Sequence, residues 1–197
     1  MRVNEIFYSI QGEGAMTGIP AVFVRFAGCN LKCPFCDTEH EPYHEMTPQE
    51  IVREVCQYPA SWVIITGGEP TLQLTDDLVR MFHEEQKIVA VETNGTSTKG
   101  LRWVDWITCS PKRMFVNSRF AKSAVPVLTK ADEVKVVFDG EHPVEAFGIA
   151  ATHYYLQPCD TGDAAKNAEI IEKCINYIKE NPRWRMSLQT QKILKVR

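Results

Sequence analysis

The chain reads as an α/β protein built on a mainly parallel sheet, and two observations predict it. Short runs rich in Val, Ile, Thr and aromatic residues alternate with longer amphipathic stretches, the pattern of βαβ units. Polar motifs also collect where the apolar runs end, and in parallel sheets and barrels the C-terminal strand edge carries the site.

The elements follow in order. "VNEIFYSI" (3–10) and "AVFVRFA" (21–27) are expected strands. "TPQEIVREVCQY" (47–58) begins a helix, with Thr47 as N-cap, Pro48 at the first helical position and Glu50 closing a capping box. Its Ile51, Val52 and Val55 share one face. "SWVIIT" (61–66) is the next strand, "TDDLVRMFHEEQ" (75–86) a second helix and "KIVAVET" (87–93) a strand. "WVDWITC" (103–109), "EVKVVF" (133–138), "HYYLQ" (153–157) and "RMSLQ" (185–189) complete the expected strands. "DAAKNAEIIEKCINYIKEN" (163–181) is a helix stopped by Pro182, and "HPVEAFGIAA" (142–151) is a weaker helical candidate. Residues 110–132 are the longest stretch without a pattern, as functional loops often are. The chain shows no repeat or linker, so it reads as one domain over 1–197.

Composition narrows the function class. The 197 residues are 44% apolar and 24% charged with net charge -3, which gives no basic surplus for nucleic acid. No N-terminal apolar block resembles a signal peptide, and no run approaches a membrane span. Seven cysteines are an odd number, and three are clustered, so the expected setting is a reducing cytoplasm.

The cluster is "CNLKCPFC", with Cys29, Cys33 and Cys36 following a strand through Gly28. Soft thiolates select zinc, copper(I) or iron–sulfur clusters. A structural zinc site needs four ligands, and His40 or His44 could supply the fourth. Three thiolates on a four-iron cluster leave one iron open. Cys109 and Cys159 lie at strand ends without partners at cluster spacing and read as packing residues; Cys56 and Cys174 read as core residues of helices. In "AVFVRFA", Arg25 and Phe23 have the opposite facing parity to Val22, Val24 and Phe26, which is compatible with a barrel interior.

The C-x-x-x-C-x-x-C spacing, followed by "VIITGGEP" (63–70), resembles the radical S-adenosylmethionine (SAM) superfamily. "FYSIQGEGAMTGIPAVFVRFAGCNLKCPFCDT" (7–38), "ETNG" (92–95), "SPK" (110–112), "LQP" (156–158) and "RMSLQTQKIL" (185–194) narrow it. In this order they resemble the 7-carboxy-7-deazaguanine synthase family.

That resemblance implies a contracted partial (β/α) barrel with the cluster loop at the C-terminal strand edge, usually a homodimer. It implies conversion of 6-carboxy-5,6,7,8-tetrahydropterin to 7-carboxy-7-deazaguanine with release of ammonia, in queuosine biosynthesis. Cofactors implied are a 4Fe–4S cluster, SAM and Mg2+, with an electron donor such as flavodoxin. Carried over by position, Cys29, Cys33 and Cys36 hold the cluster and Thr38 the Mg2+. Substrate falls to Ile10, Gln11, Gly12, Glu13, Arg25, Thr93 and Gln191. SAM falls to Gly67, Gly68, Glu69, Gly95, Ser110, Pro111, Lys112, Gln157, Pro158, Cys159 and Asp160. No general base is assigned. Two departures stand out: the family usually has histidine where this chain has Gln191, and Arg197 stands where some members end in proline. The rival readings are a glycyl-radical activase of the same superfamily and a non-enzymatic zinc or iron–sulfur module.

Overall fold

The computed structural model describes residues 1–36, 38–39, 41–117, 119 and 121–196. Asp37, His40 and Arg197, to which the sequence drew attention, lie outside them.

The chain runs β1 (Arg2–Ile10), β2 (Pro20–Phe26), β3 (His44–Glu45), α1 (Pro48–Val55), β4 (Trp62–Gly67), α2 (Asp76–Glu84), β5 (Ile88–Thr93), β6 (Trp106–Cys109), β7 (Glu133–Phe138), β8 (His153–Pro158), α3 (Ala164–Glu180), β9 (Arg185–Met186) and α4 (Thr190–Leu194). Among the described residues these strands form one sheet in the order β3-β1-β2-β4-β5-β6-β7-β8-β9. β1 is antiparallel to both β2 and β3. From β2 to β9 every neighbouring pair is parallel.

Strand parity divides the sheet into two chemically different faces. The outer face carries Val22, Val24, Phe26, Val63, Ile65, Val89, Val91, Val134, Val136 and Leu156. They pack against Ile51 and Val55 of α1, Leu78 and Phe82 of α2, and Ile170 and Cys174 of α3. Burying each large aliphatic or Phe side chain here contributes roughly 1.5–3 kcal/mol. The helices start where expected: Thr47 Oγ1 accepts from Glu50 N while Glu50 accepts from Thr47 N, and Thr75 Oγ1 accepts from Leu78 N.

The inner face has two tiers. Phe7, Ala21, Phe23, Ile64 and Ala90 form an apolar plug with Met16, closed by Trp62 and Trp106. Phe7 and Phe23 are cross-strand partners whose rings stack with centroids 4.9 Å apart. Toward the C-terminal ends of the parallel strands, the same parity brings in Arg25, Thr66, Glu92, Thr108, Lys135 and Gln157. The polar floor of the site is therefore set by strand alternation.

Several expected elements differ. Residues 142–151 form no helix: Phe147 (φ 54) and Gly148 (φ 71) make a tight turn that drops Ile149 into the core. The strand expected over 103–109 begins at Trp106: residues 102–103 form a turn, and although Asp105 N donates to Val89 O, Val89 N is taken by the Asp105 carboxylate in place of a backbone carbonyl. The strand expected over 185–189 shortens to two residues, after which the chain crosses to residues 12–14 and enters the unexpected helix α4. Cys56 is not core; it is exposed at the C-cap of α1, whereas Cys174 is buried as expected. No helix among the described residues is long and apolar enough to cross a membrane.

Candidate active site

A cavity of about 920 Å³ opens at the C-terminal edge of the sheet, floored by the inner polar tier. Cys29, Cys33, Cys36 and Thr38 line one wall, all from the loop after β2. That loop is held from behind, because Cys29 and Cys33 pack against Leu31, Val116 and Ala124. The unpatterned segment 110–132 thus serves as the backing of the cysteine loop. Phe35 meets Phe115 edge-on, with centroids 4.9 Å apart, and Lys112 Nζ stands 5.8 Å from the Phe35 ring centre.

The three thiols are free, and burial pushes the Cys29 thiol up to about 11. Iron ligation would draw such thiols down to thiolates. Among the described residues, no three His, Cys, Asp or Glu side chains converge to hold a single metal ion. An all-thiol set on one wall suits an iron–sulfur cluster, whose irons are held by thiolates.

"GGE" is shaped first by the chain's own packing. A Cβ on Gly67 would overlap the Phe26 carbonyl, and one on Gly68 the Gly28 carbonyl. The bare backbone lets Gly68 N donate to Phe26 O and Glu69 N to Gly28 O, both at 3.0 Å. This fastens the end of β4 to the root of the cysteine loop. Glu69 is fully buried and lies off the cavity wall. Its carboxylate accepts from Thr71 N (3.0 Å), Thr71 Oγ1 (2.6 Å), Thr93 Oγ1 (2.7 Å) and Asn94 N (2.7 Å). Glu69 therefore acts by fixing the loop after β5. A ring of amides continues the brace: Asn94 Nδ2 donates to Asn30 Oδ1, and Asn30 Nδ2 donates to Thr96 Oγ1.

Glu13 joins the two ends of the sheet. Its carboxylate accepts from Lys135 Nζ at 2.5 Å and from Gln189 Nε2 and Gln191 Nε2 at 3.0 Å. Thr190 N and Oγ1 both donate to Gly12 O, and Gly14 N donates to Ser187 Oγ. The gap between β1 and β9 is thus bridged by hydrogen bonds across a partial barrel. A Cβ on Gly12 would overlap the Gln191 amide, so glycine there makes room for the C-terminal segment.

Burial raises the Glu13 carboxyl, but the Lys135 charge and the three hydrogen bonds outweigh it and hold the group down to about 2. Its contribution to stability is therefore complete above its ordinary value of 4.5 and is lost as pH falls toward 2. The unfolding midpoint of the parent should drop across that window. Glu13→Gln should show a shallower drop in urea titrations at stepped pH; an unchanged slope contradicts the assignment.

Every residue assigned from the sequence to cluster, Mg2+, substrate or SAM lines this cavity except Glu69, Gly95 and Pro111. Gly95 lies over Cys109 and accepts from Val127 N, and Pro111 is buried. Thr93 lines the cavity, but its hydroxyl is directed to Glu69. Cys109 is buried as expected, whereas Cys159 lines the cavity. Arg25 donates through Nε to Glu5 at 2.9 Å and through Nη1 to Thr38 Oγ1 at 3.3 Å. Lys112 donates to Ser110 Oγ at 2.5 Å, and burial pulls its ammonium below the usual lysine range. Sequence reasoning missed Lys135 and Glu92. The signal was present: polar residues at inward parity in "EVKVVF" and "IVAVET".

Residues 23–112 match the Radical SAM superfamily. The chain is 45% identical to the 7-carboxy-7-deazaguanine synthase of Bacteroides thetaiotaomicron, covering 100% of this chain and 98% of that protein. It is 39% identical to the synthase of Neisseria meningitidis serogroup B, covering 97% and 92%. A crystal structure of QueE from Escherichia coli shares the fold with TM-score 0.68 at 23% identity, covering 95% of this chain and 93% of that one. With a full-length relative at this identity and the cysteine loop, glycine pair and inner polar tier arranged around one cavity, the chain belongs to the 7-carboxy-7-deazaguanine synthase family of the radical SAM superfamily.

Proposed function

We infer that this chain is a radical SAM lyase that converts 6-carboxy-5,6,7,8-tetrahydropterin to 7-carboxy-7-deazaguanine with release of ammonia, in queuosine biosynthesis. The observation that carries this reading is the full-length similarity to synthases of that name. The glycyl-radical activase and the metal-module readings are not favoured. The cofactors are a 4Fe–4S cluster and SAM, and Cys29, Cys33 and Cys36 are the residues that would hold the cluster.

When bound, the cluster and SAM supply a hydrogen-abstracting radical. The chain's own residues bind, orient and seal. The Phe7–Phe23 stack closes the base of the cavity with apolar surface, which excludes water from below. Gln11 is a donor and acceptor already fixed at both ends: Glu13 N donates to its Oε1, and its Nε2 donates to Glu92. Arg25 presents a planar fork suited to a carboxylate. Its pairing with Glu5 through Nε holds the guanidinium against the cavity wall. Arg25→Lys keeps the charge and loses the fork, so substrate affinity should fall about tenfold while SAM affinity stays near parent. Equilibrium dialysis checks this, and equal losses for both ligands would indicate a folding defect.

We place Mg2+ at Thr38, whose hydroxyl lines the cavity two residues past Cys36. Mg2+ prefers oxygen and retains several waters, so one protein oxygen suffices with substrate oxygens. Thr38→Ala should lose Mg2+ stimulation of turnover with iron content unchanged, and Thr38→Ser should retain much of it. Unaltered stimulation in Thr38→Ala contradicts the placement.

The continuous sheet supports reading residues 1–197 as one domain. The family resemblance supports a homodimer, a flavodoxin-type electron donor and a cytoplasmic location. Light scattering that returns a monomer mass would remove the dimer.

A further inference from the structure

The glycine-pair turn runs on into a 3₁₀ turn, Pro70–Leu72, and Gln73 caps its end. The Gln73 side chain then reaches back to the strands on the far side of β2. Direct backbone pairing of β1 with β2 ends at Val3 and Phe26. A hydrogen-bonded antiparallel pair exchanges two backbone bonds. Between Arg2 and Ala27 only one of the two is direct: Ala27 N donates to Arg2 O at 3.0 Å. The other runs through the Gln73 carboxamide. Arg2 N donates to its Oε1 at 2.7 Å, and its Nε2 donates to Ala27 O at 2.8 Å. The second Nε2 hydrogen goes to Arg2 O at 3.2 Å. The amide thus stands in the ladder as a surrogate peptide group, where β2 gives way to the cysteine loop.

The consequence is a complete set of bonds at the root of that loop. Three successive carbonyls lead to Cys29, and each is received by the segment 68–73. Phe26 O accepts from Gly68 N at 3.0 Å, Ala27 O from Gln73 Nε2 at 2.8 Å and Gly28 O from Glu69 N at 3.0 Å. Successive carbonyls of an extended strand point to opposite neighbours, so the backbone that serves Phe26 cannot serve Ala27. Only a side chain of glutamine's length, bent round the strand end, closes the set. Gly28, at φ 86, then turns the chain into Cys29. Gln73 itself lies off the cavity wall, so it acts through these two segments and not by contact with a ligand. Its bonds to Arg2 are exposed, so water can take over the stranded groups, and a substitution should spare the fold.

We propose that Gln73 is a positioning residue for the two cofactors: it locks the departure of the cysteine loop to the turn that carries Gly67 and Gly68, and so fixes the three thiols relative to the segment assigned to SAM. This rests on the radical SAM reading above and adds the residue that ties the cluster loop to the SAM turn.

The test is SAM affinity and the cluster's spectrum, measured on the reconstituted, cluster-loaded chain. Gln73→Met keeps the length of the side chain and removes its three bonds. Iron and sulfide should match the parent, while affinity for SAM in equilibrium dialysis should fall about tenfold, the low end for residues that orient metal ligands. At saturating SAM the electron paramagnetic resonance spectrum of the reduced variant should differ from the parent's, because the thiols stand differently toward the bound cofactor. Affinity for the carboxytetrahydropterin, measured with SAM saturating, should stay near parent. Equal losses for SAM and pterin overturn the proposal, as does a parental SAM affinity and spectrum. Loss of iron along with SAM overturns it too, since Gln73 would then serve only assembly of the loop. If Gln73→Met fails to fold, Gln73→Glu decides, because it keeps the bond from Arg2 N and loses the one to Ala27 O. Weaker SAM binding with parental pterin binding then supports the role, and parental SAM affinity overturns it. A parent whose reduced signal does not respond to SAM refutes the radical SAM reading and the proposal with it. A parent that responds while Gln73→Met matches it refutes only the role of Gln73.

Discussion

Cys33→Ala is expected to leave a folded chain that holds no intact four-iron cluster and forms no deazaguanine. The thiol belongs to a loop whose backing is supplied by Leu31, Val116 and Ala124, so the loop has other contacts to keep its place. Stability should fall by no more than about 1 kcal/mol, typical of a partly exposed substitution. Iron and sulfide in the anaerobically reconstituted parent should be on the order of four each per chain, and in the variant well below that. Electron paramagnetic resonance of the reduced parent should change when SAM is added. A variant that retains a SAM-responsive signal would remove Cys33 from the ligand set.

Glu69→Ala carries the largest expected stability loss. Removing this carboxylate strands four donors, the Thr71 and Asn94 amides and the Thr71 and Thr93 hydroxyls, on residues that are all buried. Hydrogen bonds to a charged group are worth about 1.5–3 kcal/mol each, and stranded donors keep their desolvation cost. A net loss of about 3–5 kcal/mol follows, a large share of the roughly 5–15 kcal/mol typical of a domain. The loop after β5 should loosen at the same time, because Thr93 and Asn94 lose their anchor. Urea unfolding checks the first effect. A loss below about 1 kcal/mol would contradict the account of Glu69 as a structural acid.

What could be read from the chain alone was whatever is written locally. The capping box at Thr47 and the apolar stripe of Ile51, Val52 and Val55 each lie within a few residues, and both are present as expected; the three clustered cysteines line one cavity. The side on which a motif's side chains point was less legible. "GGEP" and "ETNG" mark strand ends, yet Glu69 and the Thr93 hydroxyl turn toward each other while Glu92 turns to the cavity. Parity along β5 carries that information, but motif order alone does not.

The closure of the sheet was hidden for a different reason. Glu13 meets Lys135 across 122 positions and Gln191 across 178, and no local pattern records such pairings. Once they are seen, the lysine in "EVKVVF" and the glutamines of "QTQK" acquire a reason: they satisfy one part-buried carboxylate at the seam. The helix expected over 142–151 failed because Phe147 and Gly148 take left-handed backbone angles, which a helix does not admit.

Conversion of a carboxytetrahydropterin to a deazaguanine in this cavity can be observed directly. The most direct measurement is an anaerobic incubation of the reconstituted chain with SAM, a reductant, Mg2+ and 6-carboxy-5,6,7,8-tetrahydropterin, followed by mass spectrometry and ammonia determination. 7-Carboxy-7-deazaguanine and ammonia are expected in equal amounts, dependent on SAM. Cleavage of SAM with no deazaguanine and no ammonia would contradict a deazaguanine-forming lyase.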